Sequence, residues 1–482
     1  MSSRDSKHSD DLKDAIQGIE TLEKASTSSI DANYDPSFVR KTIRMVDWRM
    51  LPLLGLLYSV ALIDRINLGV ARTAGMQEDL KLQVGNRYSI ASMIYFFPYM
   101  LLQIPGNLIL RSIGPRNLLT ICVVGWGIAQ LGMAFVKTWG FLCLCRIFLG
   151  AFESVFFPSL VFIITTWYKR YEVQQRLAVF YLSSIAISSF SSVLAYAISL
   201  LAGKANLNGW RWIFLLEGAL TICLGVLAWF FVPDFPDKSK WLTVEQRKMI
   251  LDRVEADRGD SVPDELTRAK FFSHLKDPLL WAFGLMFLAS TVPAYAIAFF
   301  ITIILKAMGF STAQALLLTA PPGIWAAISC FFFAWLSDKT KHRAGWMVVQ
   351  NMITITGLAI AAYAISNPVR YFGLFLVYGG ATGCIPGVLA YSSNNITTHT
   401  KRAVHTASIV LWGGVGGIMA TTVFREQDFP RYVNGMWATI GLQLMMIVLL
   451  GITTFVFKRR NRLRREGKIG PLEGQEDFYY TI

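Results

Sequence analysis

Long apolar blocks are the feature that most constrains how this chain folds. Hydrophobic residues make up 54% of the 482, and they occur in long stretches instead of at the spacing of a soluble amphipathic helix. A helix needs about 20 apolar residues to cross the roughly 30 Å of hydrocarbon in a bilayer. The sequence therefore predicts an all-α membrane protein with twelve transmembrane helices, at residues 50–71, 87–110, 117–136, 140–167, 178–203, 211–232, 278–305, 315–337, 345–366, 371–394, 404–424 and 433–457.

The positive charge of the chain follows this predicted topology. The formal net charge is +14, and Lys and Arg residues concentrate in the loops on one side of the predicted spans, as at Arg116 and Lys341. Because cytoplasmic loops of membrane proteins carry an excess of Lys and Arg, we expect both termini to be cytoplasmic. The charge thus indicates orientation in the lipid bilayer, and we expect no nucleic-acid partner.

Motifs of enzyme chemistry do not occur in the sequence. The six cysteines all lie within predicted spans, at no zinc-ligand spacing and with no disulfide framework. There is no phosphate-binding loop of the form G-x-x-x-x-G-K-[ST], no H-E-x-x-H helix and no nucleophile elbow. The sequence therefore predicts neither an enzyme nor a bound cofactor or metal.

Polar segments divide the chain. Residues 1–36 are predicted to form a disordered cytoplasmic tail, and residues 458–482 a basic one. A polar linker, residues 234–276, separates two predicted six-helix bundles at residues 37–233 and 277–457; within it Thr243 to Gln246 has capping-box spacing and predicts a short helix. The stretches "GNLILRSIGPR" and "AWLSDKTKHR" follow the second and eighth spans and are alike, which indicates a duplicated six-helix unit.

Four ionisable residues lie inside predicted spans. Asp64 and Arg65 are in the first span, and Arg146 and Glu153 are in the fourth. A charge at bilayer depth costs about 2.5–3.5 kcal/mol on insertion scales, so it faces a partner or a watery cavity. Arg146 and Glu153 are seven residues apart and return to within about 20° of one helix face. We expect both pairs to face a shared interior; the alternative is that the first helix ends before Asp64.

The sequence resembles the anion:cation symporters of the major facilitator superfamily, over about residues 40–458. The similar stretches are "LIDRINLGVAR", "QIPGNLILRSIGPR", "WYKRYEVQQRLAVFY", "GWRWIFLLEG", "PDFPDKSKWLT", "SNNITTHTKRAV" and "DFPRYVNG", and fungal allantoate, nicotinate and pantothenate permeases are the most similar members. The resemblance implies twelve transmembrane helices in two pseudo-symmetric six-helix bundles. It also implies a multi-pass protein of the plasma membrane that imports a small organic anion by proton symport through alternating access.

The resemblance also suggests gating residues on the cytoplasmic side. The superfamily carries an Asp before Arg111, but Leu110 stands there in this chain, so a gating salt bridge at Arg111 is weakened. The second half keeps an acid–base pair, Asp338 and Lys339. We therefore expect gating contacts at Arg111, Asp338 and Lys339, with the gating ion pair formed by Asp338 and Lys339.

Arg65 is the predicted substrate-binding cation, as the resemblance implies. A guanidinium stays charged and presents a planar fork of donors to a carboxylate. Arg146 either shares that role or holds Glu153 and Asp64 in place. Burial and a neighbouring guanidinium move a carboxyl pKa in opposite directions, which can poise an acid near working pH. We hypothesise that Asp64 and Glu153 accept protons from outside and release them inward.

Neutral side chains of the second half complete the predicted site. Tyr295, Asn394 and His405 are predicted substrate contacts, and for each the alternative is interhelical hydrogen bonding or interfacial anchoring. Glu217 in "WRWIFLLEG" is expected to be a structural partner for a nearby donor.

Two other functions remain open from sequence alone. One is electroneutral exchange of organic anions, and the other is a non-transporting nutrient receptor, which the short polar tails disfavour. The expected partners are a small organic anion such as nicotinate or allantoate, protons and the lipid bilayer. We expect the protein to be a monomer.

Overall fold

The computed structural model describes residues 34–482, apart from residues 234, 240, 260–267, 397–398, 430 and 474–477. The predicted N-terminal tail lies outside the described residues up to residue 33. Helices occupy all twelve segments for which the sequence predicts a span. Within the described part of the chain, ten helices are long and apolar enough to cross a membrane by themselves. The protein is a multi-pass membrane protein built from two six-helix bundles.

The helices of the N-terminal half begin shortly after the start of the described chain. In order they are α1 (Pro36–Ala71), α2 (Gln77–Asp79), α3 (Arg87–Met93), α4 (Phe96–Ile113), α5 (Pro115–Met133), α6 (Trp139–Glu153), α7 (Phe156–Trp167), α8 (Arg170–Ser188), α9 (Ser191–Ser199) and α10 (Gly209–Phe231).

The linker and the C-terminal half contain the remaining helices. They are α11 (Val244–Gly259), α12 (Arg268–Leu275), α13 (Pro278–Ala307), α14 (Thr312–Leu317), α15 (Ala320–Thr340), α16 (Arg343–Tyr363), α17 (Asn367–Asn394), α18 (His399–Val423) and α19 (Val433–Arg465).

Three of the predicted spans are broken ahead of a proline. The second span is interrupted between α3 and α4, four residues before Pro98, and the fourth between α6 and α7, four residues before Pro158. The eighth is interrupted between α14 and α15, four residues before Pro322. Proline has no N–H to bond the carbonyl of residue i−4. The carbonyls of Ile94 and Ser154 therefore lack that helical hydrogen bond, and the helix is interrupted there. The second break leaves Glu153 as the last residue of α6.

The two bundles meet on the side of the molecule where α1 ends, which we call the closed side. The Tyr88 hydroxyl donates to the Phe299 carbonyl at 2.9 Å, and the hydroxyls of Thr73 and Thr302 are 3.0 Å apart. Gly69 allows this approach, because a Cβ there would stand 2.5 Å from the Phe299 carbonyl oxygen. Backbones of the two halves are therefore in direct contact on the closed side.

The linker packs against the opposite side, where α1 begins and α19 ends; we call it the terminal side. The predicted capping box forms, with Thr243 and Gln246 exchanging hydrogen bonds of 3.2 and 3.1 Å at the start of α11. Arg253 of this helix pairs with Glu172 of α8 at 2.9 Å. The linker is thereby attached to the N-terminal half.

The C-terminal segment also folds onto the terminal side. α19 continues to Arg465, beyond the predicted end of the last span at residue 457. The chain then turns back, and the Asn461 side chain exchanges hydrogen bonds with the Tyr480 backbone at 2.8 and 2.9 Å. The Thr481 N–H donates to the Asn395 side chain at 2.8 Å. The basic tail is thus partly helical and partly docked under the C-terminal half.

Candidate functional site

The first helix carries its two charges into the protein interior. α1 is continuous from Pro36 to Ala71, and Asp64 and Arg65 are both buried, at 1% and 8% exposure. The alternative that the helix ends before Asp64 is therefore wrong. Arg146 and Glu153 are buried as well, so all four charges lie inside the bundle.

Arg65 joins the two halves of the protein. One guanidinium nitrogen pairs closely with the Glu153 carboxylate of α6, and the other donates to the Tyr295 hydroxyl of α13 at 3.1 Å. The guanidinium also lies over the rings of Tyr95 and Tyr99, at 5.5 and 5.2 Å from the centroids. These contacts surround the cation with one carboxylate and three phenol rings. A planar, charged donor held by a single anion can exchange that anion for another carboxylate.

Arg146 has different partners from those expected. Its Nε and Nη2 donate to the carbonyls of Ala91 and Arg65, both at 3.4 Å, and its guanidinium lies over the Tyr95 ring at 5.5 Å. Gly150 lets α6 come this close, since a Cβ there would stand 2.2 Å from the Tyr95 carbonyl oxygen. Arg146 thus holds backbone carbonyls, while Glu153 is held by Arg65.

Asp64 belongs to a second polar cluster on the other side of α1. Its carboxylate accepts hydrogen bonds from the Trp126 indole at 3.1 Å and from the Thr221 hydroxyl at 3.0 Å. One turn away, Glu217 accepts a hydrogen bond from the Asn67 amide. Glu217 therefore has the structural donor that the sequence suggested. The donors to Asp64 in the described structure are neutral, so burial of its charge is offset only in part.

His405 and Asn394 lie away from Arg65. His405 is buried near the terminal side, 3.9 Å from the Asp277 carboxylate, and Lys401 bonds both Asp277 and Glu473 at 2.9 Å. Burial raises the pKa of the Asp277 carboxyl, but the hydrogen bonds from Lys401 and from the Leu279 N–H, together with the positive charge of Lys401, outweigh burial and hold the pKa below its usual value. Asn394 is exposed at the end of α17. Tyr295 is thus the one of these three predicted contacts that the structure brings to the central cation.

The residues predicted for gating lie at the helix ends on the terminal side. Asp338 is exposed and pairs with Arg343 at 2.8 Å, while the Lys339 ammonium lies 4.9 Å from the centroid of the Trp335 ring. Asp338 therefore pairs with Arg343 instead of with the adjacent Lys339. Arg111 is within α4, and its side chain lies outside the described part of the structure.

Sequence reasoning overlooked the aromatic side of the site. Tyr95 and Tyr99 were not predicted, although they are four residues apart and so share one helix face, and both are buried beside Arg65. Trp126 and Asn67 were also missed as partners of the two buried carboxylates. Hydroxyl, amide and indole N–H groups within an apolar span are the signal that could have indicated them, because such groups need partners in hydrocarbon.

The whole membrane part of the chain is similar to known transporters. The family model of the Major Facilitator Superfamily matches residues 54–421. An uncharacterised transporter of Schizosaccharomyces pombe is 31% identical over 427 residues, which is 87% of this chain and 84% of that protein. The high-affinity nicotinic acid transporter of Saccharomyces cerevisiae is 27% identical over 91% of this chain and 82% of that protein.

Solved transporter structures show the same fold at low sequence identity. A bacterial homologue of the human lysosomal transporter Spinster, in an inward-facing and occupied conformation, matches with a TM-score of 0.66 and 15% identity, over 85% of this chain and 97% of that one. The xylose transporter XylE of Escherichia coli, in a partially occluded inward-open conformation, matches with a TM-score of 0.63 and 14% identity, over 83% and 97%.

Proposed function

Because the chain belongs to the Major Facilitator Superfamily, we propose that it is a secondary active transporter that imports a small organic anion by proton symport through alternating access. The substrate class is a carboxylate such as nicotinate or allantoate. Similarity to a high-affinity nicotinic acid transporter supports this class. The proposed location is the plasma membrane, as the resemblance of the sequence implies. We propose that both termini are cytoplasmic, because Lys and Arg concentrate on the terminal side.

The single observation that carries this proposal is the position of Arg65. Its guanidinium is buried, contacts Glu153 of one half and Tyr295 of the other, and offers the planar fork that binds carboxylates. A substrate carboxylate would take the place of Glu153 on this fork. Because Tyr295 comes from the opposite half, a substrate bound here contacts both bundles and can affect the conformation of each.

Competition for Arg65 supplies the coupling. When Glu153 accepts a proton, its hold on Arg65 weakens and the fork becomes available to the substrate anion. When the proton leaves inward, the Glu153 carboxylate recaptures Arg65 and displaces the substrate. Arg146 stays on its backbone carbonyls and keeps the centre positive, which favours an anion once Glu153 is neutral.

Asp64 is the second proposed proton carrier. Its described hydrogen-bond donors are the neutral Trp126 and Thr221 groups, so an ionised Asp64 has less compensation for burial than Glu153 has. A proton on Asp64 removes that unfavourable charge without disturbing Arg65. Its neighbour in sequence, Arg65, is the proposed substrate-binding residue. The helix α1 would therefore bind both the proton and the substrate anion.

Alternating access would exchange contacts between the two sides of the molecule. The described bundles touch on the closed side through Tyr88, Phe299 and the threonine pair. With the termini cytoplasmic, the closed side faces outward, and these contacts must separate for the substrate to enter. Asp338 with Arg343, Lys339 and Arg111 are the proposed gating groups on the cytoplasmic side.

Uptake by purified protein in proteoliposomes tests the proposal. We expect labelled nicotinate or allantoate to accumulate when the outside is acidic, and accumulation to be lost in Arg65→Gln. Exchange would appear instead as uptake driven by preloaded internal anion without a pH gradient. If no carboxylate of a labelled panel enters under either condition, the proposed substrate class is wrong.

A further inference from the structure

We propose that the protein binds one anionic phospholipid in a cavity between α19 and the docked C-terminal segment. The cavity has a volume of about 640 Å³ and lies at the terminal end of α19, away from Arg65. Its walls are Phe455 and Leu463 of the helix on one side and Ile469, Leu472 and Tyr480 of the returning chain on the other. This volume lies within the range of about 300–1,000 Å³ typical of ligand sites.

The polar lining selects an anion. Arg459 and Arg460 are adjacent, exposed and part of the lining. The one carboxylate of the lining, Glu473, accepts from Lys401 at 3.0 and 2.9 Å on its two oxygens. Lys401 also pairs with Asp277, so Glu473 still offsets part of the charge of the two arginines. Arg460 makes a long contact of 3.4 Å with the Tyr480 hydroxyl. The two guanidiniums therefore leave a net positive cavity, and their forks match a phosphate.

The apolar surface beside the cavity identifies a lipid as the source of that phosphate. Leu444, Val448, Ile452 and Phe455 are 50–66% exposed and recur every three or four residues along α19. Such a stripe on a membrane helix faces the acyl chains of the bilayer. It leads directly into the cavity through Phe455. A phospholipid would thus lay its chains on the stripe and place its headgroup phosphate on the two arginines.

The position along the helix agrees with this occupant. Arg459 and Arg460 follow the predicted end of the last span at residue 457, which is the level of the headgroups. Basic groups there attract anionic lipids, and basic pockets between helices bind their headgroups. Because the rear wall is the docked chain, the lipid binds only while that segment is in place. Binding should therefore stabilise the folded protein.

Thermal unfolding of the purified full-length protein tests the site. The protein is titrated in phosphatidylcholine micelles with increasing phosphatidylserine, and lipid retention is read by native mass spectrometry. We expect the unfolding midpoint to rise and one lipid to be retained. In Arg459→Gln/Arg460→Gln the apparent affinity should fall about 100-fold, at about tenfold for each hydrogen bond to the charged phosphate that is lost.

Two matched variants separate a site from general attraction of the basic helix. Lys458→Gln/Arg462→Gln removes the same charge from residues of the same helix that do not line the cavity, and should leave the titration unchanged. Gly470→Trp keeps every charge and adds a bulky side chain at a lining residue, where no heavy atom lies within 4 Å of a Cβ; it should abolish the retained lipid. Equal losses in both double variants, or full saturation by inorganic phosphate in place of the lipid, would overturn the proposal.

Discussion

Glu153→Gln should separate substrate binding from proton coupling. In the structure the Glu153 carboxylate occupies the Arg65 fork that a substrate carboxylate needs. Glutamine keeps the size of the side chain but removes its charge and its ability to take up a proton. The variant should therefore bind the organic anion more tightly than the wild type, and its affinity should depend less on pH.

The size of the effect follows from the interaction that is removed. A hydrogen bond to a charged group contributes about 1.5–3 kcal/mol, and about 1.4 kcal/mol corresponds to a factor of ten in affinity. Loss of the internal competitor should thus raise affinity by about 10- to 100-fold. Binding of labelled substrate to purified protein, measured across the neutral to mildly acidic range, gives this number directly.

Transport by the same variant should move in the opposite direction. Without a group that releases its proton inward, Arg65 is not recaptured and the substrate is not displaced. We expect counterflow of labelled anion to persist in proteoliposomes, while accumulation driven by a pH gradient is lost. Substrate affinity that stays as pH-dependent as in the wild type, or that falls, would refute competition for Arg65.

Glu217→Gln is the matched control for this prediction. Glu217 is another buried carboxylate of the same bundle, but its partner is the Asn67 amide. Its replacement should leave the pH dependence of substrate affinity unchanged. A comparable gain in affinity in this variant would mean that any loss of negative charge in the bundle is sufficient.

Three further changes test other parts of the structure. Tyr295→Phe removes the hydroxyl that the central guanidinium contacts across the halves, and should weaken substrate affinity about 3- to 10-fold with little change in the unfolding midpoint. Gly69→Val places a side chain against the Phe299 carbonyl and should open the closed side, measured as increased labelling of a single cysteine introduced there. Lys401→Met leaves the Asp277 carboxylate without its cation and should lower the free energy of unfolding by about 1–3 kcal/mol, measured by denaturant titration; an unchanged midpoint would show that the ion pair contributes nothing.

Much of the fold could be predicted because hydrocarbon imposes the same requirement on every span. Each backbone polar group must be bonded within its own helix, so about 20 apolar residues specify a membrane helix wherever the segment packs. All twelve predicted segments are helical in the structure. The burial of the four charges was predictable for the same reason, since exposure of an ionised side chain to lipid is costly at any position on the bundle surface.

Broken helices were harder to predict from sequence. Pro98, Pro158 and Pro322 each follow a break, yet Pro293 and Pro386 lie inside α13 and α17 without one. A proline always removes one backbone hydrogen bond, but neighbouring helices and side chains decide whether the freed carbonyl finds another partner. The break that places Glu153 at a helix end is therefore a property of the packed bundle.

The sequence by itself determined that this protein is a bundle of membrane helices with four charges turned inward. Both properties depend on the free energy of moving a residue from water into hydrocarbon, which each segment meets alone. Only the tertiary structure decided that Glu153 pairs with Arg65 instead of with Arg146, that Tyr295 reaches the same cation from the other half, and that Asp338 meets Arg343. Such pairings depend on ångström-scale distances between side chains up to 230 positions apart in the chain, and those distances exist only once all the helices have packed.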